Sequence, residues 1–174
     1  MPITAPALGL ALVLAQPTDW PTGPIIDDFG PHAAVEGAAP LPPGLILAHA
    51  FDSAELAEDH RNRTLGSVAR FINMHGAAGV PAADIRPAVV IHGAAVFSVV
   101  SDARFEAQHG HEANPNRALV EALLGAGTRI IVCGQSAAAQ DVDTSDLMPG
   151  VEMALSAMTA HALLQREGYT LNPF

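Results

Sequence analysis

From residue 45 onward, short apolar runs alternate with longer amphipathic segments, and this alternation limits the fold more than any other feature of the chain. The apolar runs at 45–51, 86–93 and 128–134 have the length of strands that are buried on both faces. Between them, segments 64–78 and 114–125 place apolar residues at helical spacing. This order of elements is typical of βαβ units, and it predicts an α/β fold with a parallel sheet covered by helices.

The rest of this region contributes weaker patterns. We predict a fourth strand within 149–156 and a last helix over 158–167, which Gly168 ends. Asn114 and Pro115 have the residue types of a helix N-cap and first turn, so we expect the helix after 113 to begin there. Other segments are a run of uncertain type (94–100), a loop or short helix (101–111), a short helix (137–139), an acidic loop (141–146) and a C-terminal tail (169–174).

Three regions follow one another along the chain. Residues 1–15 are apolar, with Val13 and Ala15 at the small-residue spacing of a signal peptidase site. They predict either a signal peptide, with a periplasmic or secreted protein, or a buried N-terminal element of a cytoplasmic one. Residues 16–44 are rich in Pro and Gly and read as an extended arm, which Trp20, Ile25, Ile26 and Phe29 can anchor on this chain or a neighbouring subunit. Residues 45–174 form the α/β domain.

Charge and composition exclude several classes of protein. The formal net charge is −10, and all eight basic residues are scattered arginines, so a nucleic-acid-binding surface is not expected. Because lysine is absent, Schiff-base chemistry is excluded. One cysteine rules out an internal disulfide or a multi-cysteine zinc site. The apolar run at 3–15 is too short to span a bilayer, and no GxGxxG or P-loop motif supports a nucleotide cofactor.

The most informative residues lie where the predicted strands end, because ligands of open α/β sheets bind at the carboxyl ends of strands. Cys133, the only cysteine, ends the third strand, and Gly134 follows it. His92 and Gly93 repeat this arrangement one strand earlier. If the two strands are neighbours, His92 and Cys133 can approach each other. Backbone N–H groups of the turn that follows would lower the pKa of a thiol at this position, although a lone cysteine is also a common core residue.

No metal site and no cofactor is predicted. His109 and His111 are two residues apart in a polar segment, but a third ligand is not indicated. The acidic loop lacks the glycine and glutamate of an EF-hand. Met153, Met158, Leu163 and Leu164, together with the arm, provide more apolar surface than one small sheet needs, and this favours an oligomer.

Four blocks of sequence carry a family resemblance: "FINMHGAAGVP" (71–81), "VVIHGAA" (89–95), "NPNRALVEALLGAGTRIIVCGQSA" (114–137) and "LMPGVEMALSAMTAHALLQREGY" (147–169). In their order and spacing they resemble the DsrE/DsrF-like family of small α/β proteins associated with sulfur relay, and in particular an uncharacterised subgroup that often has an exported N-terminus. The resemblance implies a three-layer α/β/α fold with a mainly parallel five-stranded sheet. It also implies homo-oligomers, commonly trimers or hexamers.

The same resemblance implies a chemistry. In active members a cysteine carries a persulfide and passes sulfur between donor and acceptor proteins, and the matching cysteine here is Cys133. His92 is then the best candidate for a second residue of the pocket, with Asn73, Gln135 and Ser136 as its polar lining. Some members place their cysteine in another loop or have a second one nearby, and this chain does not.

Two hypotheses follow. In the first, the protein is a persulfide carrier that uses Cys133, and its thiol is sheltered with one narrow approach. In the second, it is a non-catalytic oligomer that binds a small ligand at the strand ends, with Cys133 as a wall of the pocket. Metal binding by Cys133 and His92 from several subunits is a third and weaker alternative.

Overall fold

Five parallel strands form one sheet in the order β4-β3-β2-β1-β5. The structure is a computed structural model, and it describes residues 20–110 and 113–172. The strands are β1 (Leu47–Ser53), β2 (Ile85–Ile91), β3 (Arg129–Cys133), β4 (Glu152–Ala154) and β5 (Thr170–Asn172). The predicted α/β class is confirmed, and the sheet flanked by helices is a three-layer α/β/α arrangement.

Five α-helices accompany the sheet: α1 (Arg63–Ala77), α2 (Asp102–His109), α3 (Arg117–Gly125), α4 (Gly134–Ala138) and α5 (Ala157–Arg166). Short 3-10 helices cover Ala82–Asp84, Gly93–Val99 and Thr144–Asp146. In the ranges that the structure describes, no helix has both the length and the apolar character needed to cross a membrane. The proposed signal peptide at 1–15 lies outside the described residues.

Alternation along the strands divides the core in two. Val89 and Ile91 of β2 face the larger cluster, which includes α1, α3 and the 3-10 helix after β2. Ala88 and Val90 face the smaller cluster, where α5 packs through Ala160 and Leu164. Because successive side chains of a strand point to opposite faces, every second residue of the inner strands faces α5.

Two elements differ from the predictions. The C-terminal tail contains a strand, β5, which pairs with β1 from His49↔Thr170 onward; three residues at a sheet edge are too few for a recognisable period. The third helix begins at Arg117 rather than at Pro115. Asn114 lies in the turn before it: its Nδ2 donates to the carbonyls of Phe97 and Val100 at 3.0 and 2.8 Å, and its Oδ1 accepts from the N–H of Asn116 at 3.0 Å.

The arm packs on its own chain, against α1. Ile26 is buried, and Ile25 and Phe29 pack against the larger core cluster. Asn73 of α1 is fully buried and holds the arm through its amide, which donates to the carbonyls of Ile26 and Phe29 at 2.9 and 2.8 Å. Its Oδ1 accepts from the N–H of Ile26 at 2.9 Å. Asn73 therefore completes the backbone hydrogen bonding of a segment that has no regular secondary structure of its own.

Candidate functional site

Three chemically active side chains meet on the α5 face at the carboxyl edge of the sheet. Asp52 shares a face with the buried Ala50, and Cys133 shares a face with Ile131, since both pairs are two residues apart. β2 and β3 pair through Ile91↔Val132, so the next residue along each strand is His92 on one and Cys133 on the other. The condition under which His92 and Cys133 can approach each other, that these two strands are neighbours, is therefore met.

A cavity of about 350 Å3 lies at this edge. The N-terminus of α5 and the turn after β3 form its other walls. Its lining consists of Asp52, His92, Cys133, Gln135, Ser136, Ser156, Ala157, Met158 and His161. Each of the strands β1 to β4, or the turn directly after it, therefore contributes residues to one site.

Cys133 is a sheltered thiol surrounded by hydrogen-bond donors. Its side chain is 5% exposed and contributes to the cavity wall. Burial raises the pKa of the Cys133 thiol, but hydrogen bonds from the Ser136 hydroxyl and from the backbone N–H groups of Ser136, Ala157 and Gln135 outweigh burial, so that this pKa is lower than that of an ordinary cysteine. Such donors stabilise the thiolate, which is the nucleophilic form of the side chain.

Close packing of the backbone builds this arrangement of donors. Gly134 starts α4, and a Cβ at that position would lie 2.7 Å from the carbonyl oxygen of Ala154, so the turn after β3 can pass β4 only as glycine. Gly93 has a φ of +54°, and a Cβ there would lie 2.7 Å from the carbonyl oxygen of Ala54. Its N–H donates to the Ser136 hydroxyl at 3.1 Å, which positions that hydroxyl beside the thiol.

Opposite the thiol, one carboxylate accepts hydrogen bonds from two histidines. Nε2 of His92 lies 2.9 Å from Oδ2 of Asp52, and Nε2 of His161 lies 2.7 Å from Oδ1. Burial raises the pKa of Asp52, but the hydrogen bonds from His92 and His161 outweigh burial and lower it below the usual value of an aspartate. Asp52 is therefore ionised at neutral pH, and it crosslinks the ends of β1 and β2 to α5.

Four of the predicted site residues come together in the cavity: Cys133, His92, Gln135 and Ser136 line it. Gly93 and Gly134 contribute backbone rather than a cavity surface, as described above. Asn73 lies elsewhere, in α1, where its amide is committed to the arm. The placement of Asn73 thus differs from its prediction as pocket lining, because the sequence gives no sign that residues 25–30 would return to cover α1.

Sequence reasoning did not assign a role to three residues of the cavity. Asp52 directly follows the first predicted strand and Ser156 ends the segment of the fourth, but neither was assigned to the pocket. His161 was not singled out. The sequence feature that could have identified His161 is its position in α5. The start of a helix directly after a strand faces the carboxyl edge of the sheet, and His161 lies four residues after Ala157, on the same face of the helix one turn further.

Asp52, His92 and His161 pair with one another in the cavity. Among the residues that the structure describes, no group of three or more His, Cys, Asp or Glu side chains is arranged to hold a metal ion. The two histidines instead direct their Nε2 atoms at a carboxylate. The arrangement is suited to acid–base and nucleophilic chemistry.

Comparison with known proteins supports the fold and the family. None of the curated proteins matches the chain. Among solved structures, the protein of unknown function MTH1491 from Methanobacterium thermoautotrophicum is similar, with a TM-score of 0.55 and 21% sequence identity over 72% of this chain and 97% of that chain. At this identity the similarity shows a shared fold. The model of the DsrE/DsrF-like family matches residues 49–173, a range that includes the whole cavity and all of the sheet except the first two residues of β1, and the protein therefore belongs to the DsrE/DsrF-like family.

Proposed function

We propose that this protein carries sulfane sulfur as a persulfide on Cys133 and passes it from a donor thiol to an acceptor thiol. The observation that carries the proposal is the environment of the Cys133 sulfur. It lines a cavity, and its pKa is lowered by one hydroxyl and three backbone N–H groups. A cysteine that served only as a small core residue would not need donors for its charged form.

The same donors suit both directions of transfer. In loading, the Cys133 thiolate attacks the outer sulfur of a donor persulfide R–S–SH; a new S–S bond forms, and the old one breaks with its electron pair going to the donor thiolate R–S⁻. In unloading, an acceptor thiolate attacks the outer sulfur on Cys133, and the electron pair returns to the Cys133 sulfur. The donors stabilise that leaving thiolate, so neither step needs an external oxidant or reductant.

Sheltering of the thiol agrees with a carrier. An exposed persulfide loses its outer sulfur to any free thiol in solution, whereas the Cys133 side chain is 5% exposed. A cavity of about 350 Å3 lies at the small end of ligand pockets. It has room for the outer sulfur and for the end of a donor or acceptor side chain. Partner proteins with a protruding thiol fit this access.

Assembly into a homo-oligomer, a trimer or hexamer, belongs to the proposal. Of the four residues from which the sequence predicts an oligomer, Leu164 belongs to the smaller core cluster and Met153 packs against the larger one, while Met158 and Leu163 remain 80% and 48% exposed. With Leu155, which is 73% exposed, they leave apolar surface around α5 beside the cavity. Sedimentation velocity tests this part, and a monomer at micromolar concentration would refute it.

Intact-mass spectrometry after incubation with glutathione persulfide tests the carrier itself. We expect the native protein to gain the mass of one sulfur atom, removable by dithiothreitol. Cys133→Ser should gain none. The matched control is Ser67→Ala, which removes an exposed hydroxyl of α1 outside the cavity and should leave loading intact. Absence of a sulfur adduct on the native protein, with Cys133 still free, would refute the proposal.

A second candidate function is binding of a small ligand without sulfur transfer. The observation in its favour is a neighbouring groove of about 1170 Å3, which is lined by residues 52–59 with Arg63 and Thr64 and shares Asp52 with the smaller cavity. This function predicts that Cys133→Ser keeps its ligand affinity. A carrier predicts that the same substitution abolishes all transfer.

A further inference from the structure

We propose that His92 is the proton-exchanging residue of this site and that Asp52 and His161 position it. This inference rests on the proposed sulfur transfer at Cys133 and assigns the acid–base part of that reaction. Its basis is the difference between the two histidines that share the Asp52 carboxylate.

Asp52 fixes the tautomer of both rings. Its two oxygens accept from Nε2 of His92 and Nε2 of His161, at 2.9 and 2.7 Å. An ionised carboxylate has no proton to donate, so each histidine carries its proton on Nε2. In both rings Nδ1 is therefore the nitrogen that is left to accept or release a second proton.

His161 is unsuited to taking that second proton. Its Nδ1 is buried and, among the described residues, has no hydrogen-bond partner. Protonation there would bury an N–H without an acceptor beside it, which costs free energy. In the neutral ring, Nδ1 is an acceptor, and leaving it unpaired is the smaller cost. His161 therefore serves as a fixed donor that holds Asp52 in place from α5.

His92 is in the opposite position. Its side chain is 31% exposed, so that a charged ring keeps contact with water. It follows β2 directly, level with Cys133 on β3 according to the strand register. The ionised Asp52 holds Nε2 of His92 and orients the ring, in the way that a carboxylate orients the histidine of a catalytic triad.

No other charged group competes for this role in the cavity. Its ionisable lining, element by element, is Asp52 from β1, His92 after β2, Cys133 from β3 and His161 from α5. The remaining lining residues that the structure describes are uncharged. Among these groups, His92 combines exposure to water with the register position beside Cys133.

The proton and sulfur balance is then closed. Cys133–SH gives its proton to Nδ1 of His92, which leaves a thiolate and an imidazolium. The thiolate attacks the outer sulfur of R–S–SH, the S–S bond of the donor breaks, and the departing R–S⁻ takes the proton from the imidazolium. The net reaction is Cys133–SH + R–S–SH → Cys133–S–SH + R–SH, and unloading runs through the same steps in reverse.

The rate of loading with glutathione persulfide tests this assignment. The reaction is quenched at set times and pH values, and the sulfur adduct is measured by mass spectrometry. We expect His92→Ala to load about a hundred-fold more slowly, since general acid–base catalysis contributes on that order, and free imidazole to restore part of the rate. His161→Gln retains an N–H donor for Asp52 but has no ring, so imidazole should not restore any rate that this variant loses. Asp52→Asn should slow loading, because an amide offers one acceptor oxygen to two histidine N–H donors.

Each outcome decides between the two claims. Loading of His92→Ala at the native rate would overturn the role of His92 while leaving the carrier function standing. Imidazole rescue of a slow His161→Gln variant would show that His161 exchanges the proton, and it would also overturn the role of His92. If the native protein takes up no sulfur at all, the carrier function fails, and this inference fails with it.

Discussion

Replacement of Asn73 by alanine should loosen the arm and destabilise the protein without changing the chemistry of Cys133. The Asn73 side chain is fully buried and makes three hydrogen bonds of 2.8 to 2.9 Å to the backbone of Ile26 and Phe29. Two longer contacts reach Ile25 N–H at 3.3 Å and the Gly30 carbonyl at 3.4 Å. The alanine variant loses all five.

The magnitude follows from the three short bonds. A buried intramolecular hydrogen bond contributes about 0.5–1.5 kcal/mol net, and a buried polar group left unpaired costs about 1–3 kcal/mol. Water that enters when the arm moves will satisfy some of the freed groups. We therefore expect Asn73→Ala to lower the free energy of unfolding by about 2–4 kcal/mol, which a domain of typical stability survives folded.

Urea unfolding and limited proteolysis provide the assay. The matched control is Met74→Ala, one residue further on the same helix, where the side chain is 40% exposed and the expected change is within about 0.5 kcal/mol. If the arm separates locally before the domain unfolds, cleavage within 20–44 should accelerate while the midpoint changes less. An unchanged urea midpoint together with unchanged cleavage would refute the role of Asn73 in holding the arm. A change in Cys133 alkylation alone would show that Asn73 acts on the pocket instead.

Two further predictions concern the packing around the site. Gly134→Ala should lower stability by about 1–3 kcal/mol in thermal unfolding, because the new Cβ would meet the carbonyl oxygen of Ala154 at 2.7 Å. It should also slow alkylation of the thiol. The control is Gly66→Ala, where a Cβ meets open space in α1, and this variant should be more stable by about 0.5–1 kcal/mol. Glu152→Gln should destabilise at neutral pH, and the difference from the native protein should shrink as pH falls below the ordinary carboxyl pKa of about 4 and vanish only below the lowered pKa of Glu152. The hydrogen bond from Arg129 lowers the pKa of Glu152, so this contribution is present above the ordinary carboxyl pKa and is lost in acid; equal pH profiles of the two proteins would contradict it.

The sequence predicted the strands that carry the site well, because their signal is local. The β-branched run before Cys133 and the apolar run before His92 are both strands, and both are followed by glycine at the turn. A parallel sheet then brings their carboxyl ends to one edge without further information. The proximity of His92 and Cys133 depended only on the two strands being neighbours.

The parts that were not predicted depend on contacts between distant segments. His161 reaches Asp52 across 109 positions of the chain, and its residue type and spacing carry no sign of that partner. Asn73 lies at an ordinary core position of an amphipathic helix, and only the returning arm explains a polar residue there. Strand β5 is defined by its partner β1 rather than by its own three residues. Such features become visible only when the packing of the whole chain is known.

The pH of half-ionisation of the Cys133 thiol, measured by iodoacetamide alkylation of the native protein and of the same protein in urea, tests the central claim most directly. A free cysteine has a pKa of about 8.5. The donors around Cys133 predict that the native thiol ionises at a lower pH than the unfolded one and that it reacts without prior unfolding. A native thiol that ionises at the same pH as in urea or above it, or that reacts only after unfolding, would show that Cys133 is a core residue and would contradict its role as a sulfur carrier.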